Sequence, residues 1–184
     1  MDDTTRYRIS IISDGFPHFV HLVCEKLFWE VFEDPQEVFR ANPNHFVRAI
    51  EATVKDIEPH LKAAYEKATR KYNDDYEEVL WAVADDRELL RRSTDIFNSY
   101  LRIMALRQGR EILPRDRFNQ RMNALKQPAH GQVLKANRTG WYGFTENIVR
   151  GYVRLRAQNK GIELEVDHQL LARRFGWTGV ADAN

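Results

Sequence analysis

The sequence predicts a mainly α-helical chain in which a helical half precedes a smaller half of helices and one β-hairpin. Three observations predict it. Apolar residues recur every three or four positions in almost every segment between breakers, which is helical spacing. Strand-like character is confined to residues 132–145. The charges also segregate: residues 1–86 carry a net −8, residues 87–160 a net +11 and residues 161–184 a net −2, all hidden within an overall +1.

In the first half, Thr4 or Thr5 is expected to cap a short helix that runs to Ile12 and stops at the turn Ser13-Asp14-Gly15. Pro17 opens the next helix, at a position that needs no backbone donor. Val20, Val23, Leu27 and Val31 fall on one stripe, widened by Phe19, Phe28 and Phe32, and Pro35 closes the segment. After the break Ala41-Asn42-Pro43-Asn44, the positions Phe46, Ile50, Val54, Ile57, Leu61, Tyr65 and Ala68 keep one register. That register predicts a single long helix, kinked at Pro59.

In the second half, Tyr76, Val79, Leu80 and Val83 mark a short helix ending near Asp85-Asp86. Ser93 or Thr94 is expected to cap another, with Ile96, Phe97, Tyr100, Leu101 and Met104 apolar and Gly109 at its end. Pro114 begins a third, which turns Phe118, Met122 and Leu125 inward. Beyond Pro128 and Gly131, Gln132-Val133-Leu134-Lys135-Ala136 and Trp141-Tyr142-Gly143-Phe144-Thr145 flank a turn at Asn137-Arg138-Thr139-Gly140, the pattern of a hairpin. Ile148, Val149, Tyr152, Val153 and Leu155 belong to a closing helix that stops at Gly161. The expected boundaries are 1–72 for a helical subdomain, 73–161 for the second domain and 162–184 for a C-terminal extension.

Three helices and a hairpin in that order are the elements of a winged helix. The third helix is then the recognition helix and the hairpin the wing. With the inward trio fixed, Arg115, Arg117, Gln120, Arg121 and Asn123 are left toward solvent, with Lys126 near the helix end, and the hairpin adds Lys135 and Arg138 beside Trp141 and Tyr142. Arg, Gln and Asn can grip base edges, and Lys can neutralise phosphate. Double-stranded DNA is the expected partner of this surface. The alternative is that the arginines pair with the acidic first half, or that the domain docks on protein.

The stretch Ser13-Asp14-Gly15-Phe16-Pro17-His18-Phe19-Val20-His21-Leu22 resembles the lid-helix motif of prokaryotic AAA+ and STAND-type ATPases, where a Gly-x-Pro turn precedes an apolar helix. Leu61-Lys62-Ala63-Ala64-Tyr65-Glu66-Lys67-Ala68-Thr69-Arg70 and Tyr76-Glu77-Glu78-Val79-Leu80 are similar to the continuation of those proteins, in which the lid runs into a winged helix, as in the replication-initiator branch. The resemblance covers roughly residues 6–160. It implies that Pro17 contacts the base of a bound nucleotide and that Gly15 permits a close backbone approach. It further implies ATP and Mg in the parent protein, with an ATPase core or neighbouring subunits as partners. Read without it, Gly15 and Pro17 are helix punctuation. This sequence departs from those ATPases in lacking Gly-x-x-x-x-Gly-Lys-Ser/Thr; even the dipeptide Gly-Lys is absent. The expectation is therefore a C-terminal part of a longer ATPase that has no cofactor and no catalysis of its own.

Other candidates are weaker. Leu80-Trp81-Ala82-Val83-Ala84-Asp85-Asp86 mimics a strand ending in paired acids, but its apolar spacing is helical. His18, His21 and Glu25 share a helix face, with Cys24 nearby; three ligands on one short helix leave a zinc shell incomplete. His45, His60, His130 and His168 are isolated in sequence, and no nucleophile motif occurs. One cysteine rules out an internal disulfide framework, the first residues are polar and acidic, and no apolar run would cross a bilayer, so a cytoplasmic location without membrane partners is expected.

Overall fold

The structure is a computed structural model that describes residues 1, 3–36, 38–57, 59–69, 75–107 and 109–164. The expected boundary at residue 72, His168 and most of the C-terminal extension lie outside the described residues. The helices are α1 (Asp3–Ile12), α2 (Pro17–Phe32), α3 (Pro43–Asp56), α4 (Pro59–Thr69), α5 (Asp75–Ala84), α6 (Ser93–Ala105), α7 (Arg115–Ala124) and α8 (Asn147–Asn159). A small antiparallel sheet is made by β1 (Arg91–Arg92), β2 (Leu134–Arg138) and β3 (Trp141–Phe144), in the order β1-β3-β2. The chain is thus mainly helical with a three-stranded sheet in its second half.

Several local expectations are corrected. Thr4 and Thr5 lie inside α1, which starts at Asp3. In α2 the buried stripe is Phe19, Val23 and Leu27, while Phe28 and Phe32 are exposed. The long helix does not kink at Pro59 but breaks: α3 ends at Asp56, Ile57 is extended (φ −61°, ψ 146°), and Pro59 begins α4. A proline ring opposes helical geometry before it and removes a donor, so the chain restarts rather than bends. Ile57 and Leu61 are still buried, so the apolar register survives the break. Ser93 is the first residue of α6, not its cap; the cap position is Arg92. Leu101 is partly exposed, and Ile103, which the apolar pattern missed, is buried.

Other local rules hold. Asn42 caps α3 by accepting from the His45 N–H at 3.0 Å, while Asn42 N–H donates to His45 Nδ1 at 3.2 Å. With Nδ1 accepting, His45 Nε2 faces Asp34 at 2.5 Å; this buried histidine is a structural cap, not an isolated side chain. Phe118, Met122 and Leu125 are fully buried beneath α7.

The core is continuous from α1 to α8. Its centre is α5, whose residues from Tyr76 to Ala84 are all buried, and α8, which packs against α1, α3, α4 and α5. A helix buried all round normally lacks charge. Here α5 buries Glu77 and Glu78, and α8 buries Arg150 and Arg154, so each must find counter-charge inside the fold.

Candidate functional site

Most of the basic block meets that demand. Of the sixteen Lys and Arg of residues 87–160, at least nine are ion-paired to acids of the first half. Arg107 and Arg110 reach Glu78 at 3.2 and 3.0 Å, and Arg156 reaches Glu77 at 3.6 Å beside Lys160. Arg102 holds the buried Asp85, and Arg91 approaches Asp86 at 3.7 Å. Arg150 grips Asp14 with Nη2 at 2.5 Å and Nε at 2.7 Å, and donates Nη1 to the carbonyls of Arg87 and Glu88. Arg154 lies 3.4 Å from Asp14 and donates to the carbonyls of Ala84, Ile11 and Asp86. Burial pushes the Arg154 guanidinium down to about 10, against the opposing pull of Asp14.

Arg121 belongs to this internal set, which corrects the expectation that it faces solvent. Its Nε donates to Asp75 at 2.9 Å, and its guanidinium lies 4.9 Å from the Tyr76 ring centre. Burial opposes its charge, but Asp75 and Tyr76 together outweigh that and hold the group above its ordinary range. Arg115 is also half-withdrawn: Nη2 donates to Ser93 Oγ at 2.7 Å, and the guanidinium lies 4.6 Å from the Phe97 ring.

What remains is a compact surface over α7 and the sheet. Because Phe118, Met122 and Leu125 point inward, Arg117, Gln120 and Asn123 project from the exposed face of α7. The sheet register then aligns Arg138, Trp141 and Arg92 across three strands. Their guanidinium carbons stand 4.0 Å and 5.2 Å from the Trp141 ring centre, so one indole carries a cation on either side. Lys126 lies 5.3 Å from the ring of Tyr142, and Lys135 is exposed opposite Gly143. Gly143 leaves space for a backbone crossing: a Cβ there would stand 2.3 Å from the Leu89 carbonyl. Arg92 was not legible in sequence, because a two-residue Arg-Arg strand has no alternation and is defined only by its pairing with β3.

The turn before α2 is separate from this surface. Asp14 and Gly15 both adopt left-handed backbone (φ 54° and 72°), and a Cβ on Gly15 would meet nothing within 4 Å. Gly15 is therefore required by its conformation. Gly15 and Pro17 are both exposed, and the turn is anchored from below through Asp14. Leu80 to Ala84 lie in α5, so the strand-like acidic run is helical. No three His, Cys, Asp or Glu side chains are placed to hold a metal ion among the described residues. No helix there is long and apolar enough to cross a membrane. Compared with protein-family models, curated proteins and solved structures, the chain matches none.

Proposed function

We propose that α5, β1, α6, α7, β2 and β3 form a winged helix that binds duplex DNA through α7 and the β2–β3 hairpin. The observation that carries this reading is the residue of charge. Once the nine internal pairs are removed, six of the seven remaining cations of residues 87–160 gather over α7 and the sheet: Arg92, Arg117, Lys126, Lys135 and Arg138, with Arg115 at the edge. The strand order β1-β3-β2, with the helix before β2 exposed, suits insertion of α7 into a major groove while the hairpin tracks phosphate. Arg117, Gln120 and Asn123 reach base edges; Lys135 and Arg138 meet the backbone. Helices α1–α4 are the lid-like part of a AAA+ or STAND-type ATPase, whose nucleotide state, sensed at Gly15 and Pro17, moves this surface.

Duplex binding measured by fluorescence anisotropy tests the reading. With about three to five phosphate contacts, the logarithmic salt slope is about −3 to −4.5. Arg117→Glu and Arg138→Glu abolish binding at moderate salt, whereas Lys67→Glu on α4 does little. Absence of binding at about 10⁻⁴ M protein and low salt overturns it. A second reading, docking on an ATPase core or a neighbouring subunit, is favoured by the exposed rings of Phe28, Trp29 and Phe32, which contact one another at the end of α2. It predicts that association with DNA is weak and independent of salt.

A further inference from the structure

A cleft of about 310 Å³ opens where α3, α4, α5 and α8 meet, lined by no residue of α7 or the sheet. Lys55 comes from α3, Lys62 from α4, and Arg156 and Lys160 from the end of α8, against two carboxylates, Glu66 and Glu77. Glu77 is already engaged three times: it accepts from the Tyr65 hydroxyl and from Lys160, and Arg156 lies 3.6 Å away. Its charge is therefore consumed by its neighbours; Lys55 also pairs with Glu51 at 2.8 Å, so with Glu51 counted the lining keeps a net of one positive charge at neutral pH. Arg156, stacked 5.3 Å from the Tyr65 ring, leaves its buried Nε–H without a hydrogen-bond acceptor. A buried donor on a cation is costly unless an acceptor arrives.

The break at Pro59 makes this opening. A single α3–α4 helix would carry Lys55 and Lys62 along one continuous rod; the extended Ile57 turns the second rod. Cations then approach from three separate helices, over a floor formed by Tyr65 and Tyr152.

We infer that this cleft binds a small phosphate-bearing anion, a pyrophosphate or a compact phosphate ester. The volume sits at the low end of ligand pockets, which excludes a large organic ligand. Lysines act as point charges on a multi-oxygen anion, whereas a lone carboxylate is better served by an unoccupied arginine fork, and Arg156 already gives part of its fork to Glu77. The Nε–H of Arg156 supplies the buried donor that a phosphoryl oxygen would satisfy. This inference is independent of the DNA reading, since none of its residues lies on α7 or the sheet.

Isothermal titration of the whole chain with inorganic pyrophosphate at low ionic strength tests it. Saturable one-site binding on the order of 10⁻⁴ M is expected. Lys55→Glu and Lys62→Glu alter exposed side chains, so the fold is retained, and each weakens binding about tenfold. Lys67→Glu, on α4 but outside the cleft, and Arg138→Glu, on the hairpin, leave it unchanged. No saturation by about 10 mM overturns the inference. So does equal weakening by all four variants, which marks general electrostatic attraction, or weakening by Arg138→Glu alone, which moves the anion to the hairpin.

Discussion

Replacing Asp14 by Asn tests the ionic joint between the two halves. The substitution keeps size and tolerates the left-handed backbone that position 14 adopts, so only charge and one acceptor are lost. In the native protein the carboxylate faces two arginines whose side chains are 5% and 4% exposed. In the variant an amide donor is turned toward guanidinium donors. Removing one partner of a buried pair costs about 3–5 kcal/mol. The low end applies, because Arg150 keeps the carbonyls of Arg87 and Glu88, and Arg154 keeps those of Ile11, Ala84 and Asp86. In a chain of this length each kcal/mol shifts the melting temperature by about 2–4 °C, so about 3 kcal/mol lowers it by roughly 6–12 °C. Differential scanning calorimetry reads this directly. The double variant Asp14→Asn, Arg150→Met should be less destabilised than the two singles combined, because the uncompensated charge on Arg150 is gone. Arg154 adds a pH signature. Its folded value of about 10 lies below the ordinary arginine range, so from about 10 upward the folded state binds fewer protons and stability rises with pH. Without Asp14 the window opens at lower pH, and the gap between variant and wild type narrows as pH approaches 10. A melting temperature within about 2 °C of wild type at pH 7 would show that the carbonyls alone hold the two arginines.

Arg121→Glu sets a carboxylate against Asp75 and should cost about 1–3 kcal/mol in a urea titration, whereas Arg117→Glu, on the exposed face of the same helix, should stay within about 0.5 kcal/mol. Asp34 is held below the ordinary carboxylate range by the Gln36 N–H and by His45. Its contribution is complete above 3.8 and is lost as pH falls through the lower folded value, so Asp34→Asn should lower the urea midpoint at pH 7, and the difference should shrink as pH falls below 3.8. Gly143→Ala drives a methyl group into the Leu89 carbonyl and should cost about 1–3 kcal/mol. Gly151→Ala meets the edge of the Phe19 ring instead, at 2.7 Å; a ring yields more readily than backbone, so calorimetry should rank it the milder of the two.

Legibility in the sequence followed the range of the interaction. The inward trio of α7 could be read because Phe118, Met122 and Leu125 are spaced four and three apart in an otherwise polar helix, so only one face can be buried. Periodicity could not choose a face for α2, where apolar residues lie on every side; packing against α3 selected Phe19, Val23 and Leu27 and left three aromatics exposed. Strand β1 carries no signal of its own. The segregation of charge was plain in the sequence, but its use was not: the partner of Arg150 lies 136 residues away, and no local rule connects them. For the same reason local spacing puts Arg117, Lys135 and Arg138 on the surface, where they lie, but misses the pairing with Asp75 that withdraws Arg121.

That distinction sets what the basic block can do outside the protein. The acids Asp75, Glu77 and Glu78 lie on α5 and Asp85 directly after it, and withdrawing them from water without counter-ions would be prohibitive. The arginines drawn from α6, α7 and α8 are thus required by α5, whether or not any nucleic acid is present. Only the remainder is available to phosphate. If all sixteen cations acted externally, the salt slope would approach about −14. The seven cations of this block outside the nine pairs, Arg87 and Arg115 included, set a limit of about −6. A measured slope steeper than that limit would mean that DNA breaks the internal pairs on binding. In that case α5 would lose its counter-charges, and DNA binding and unfolding of the second half would become coupled.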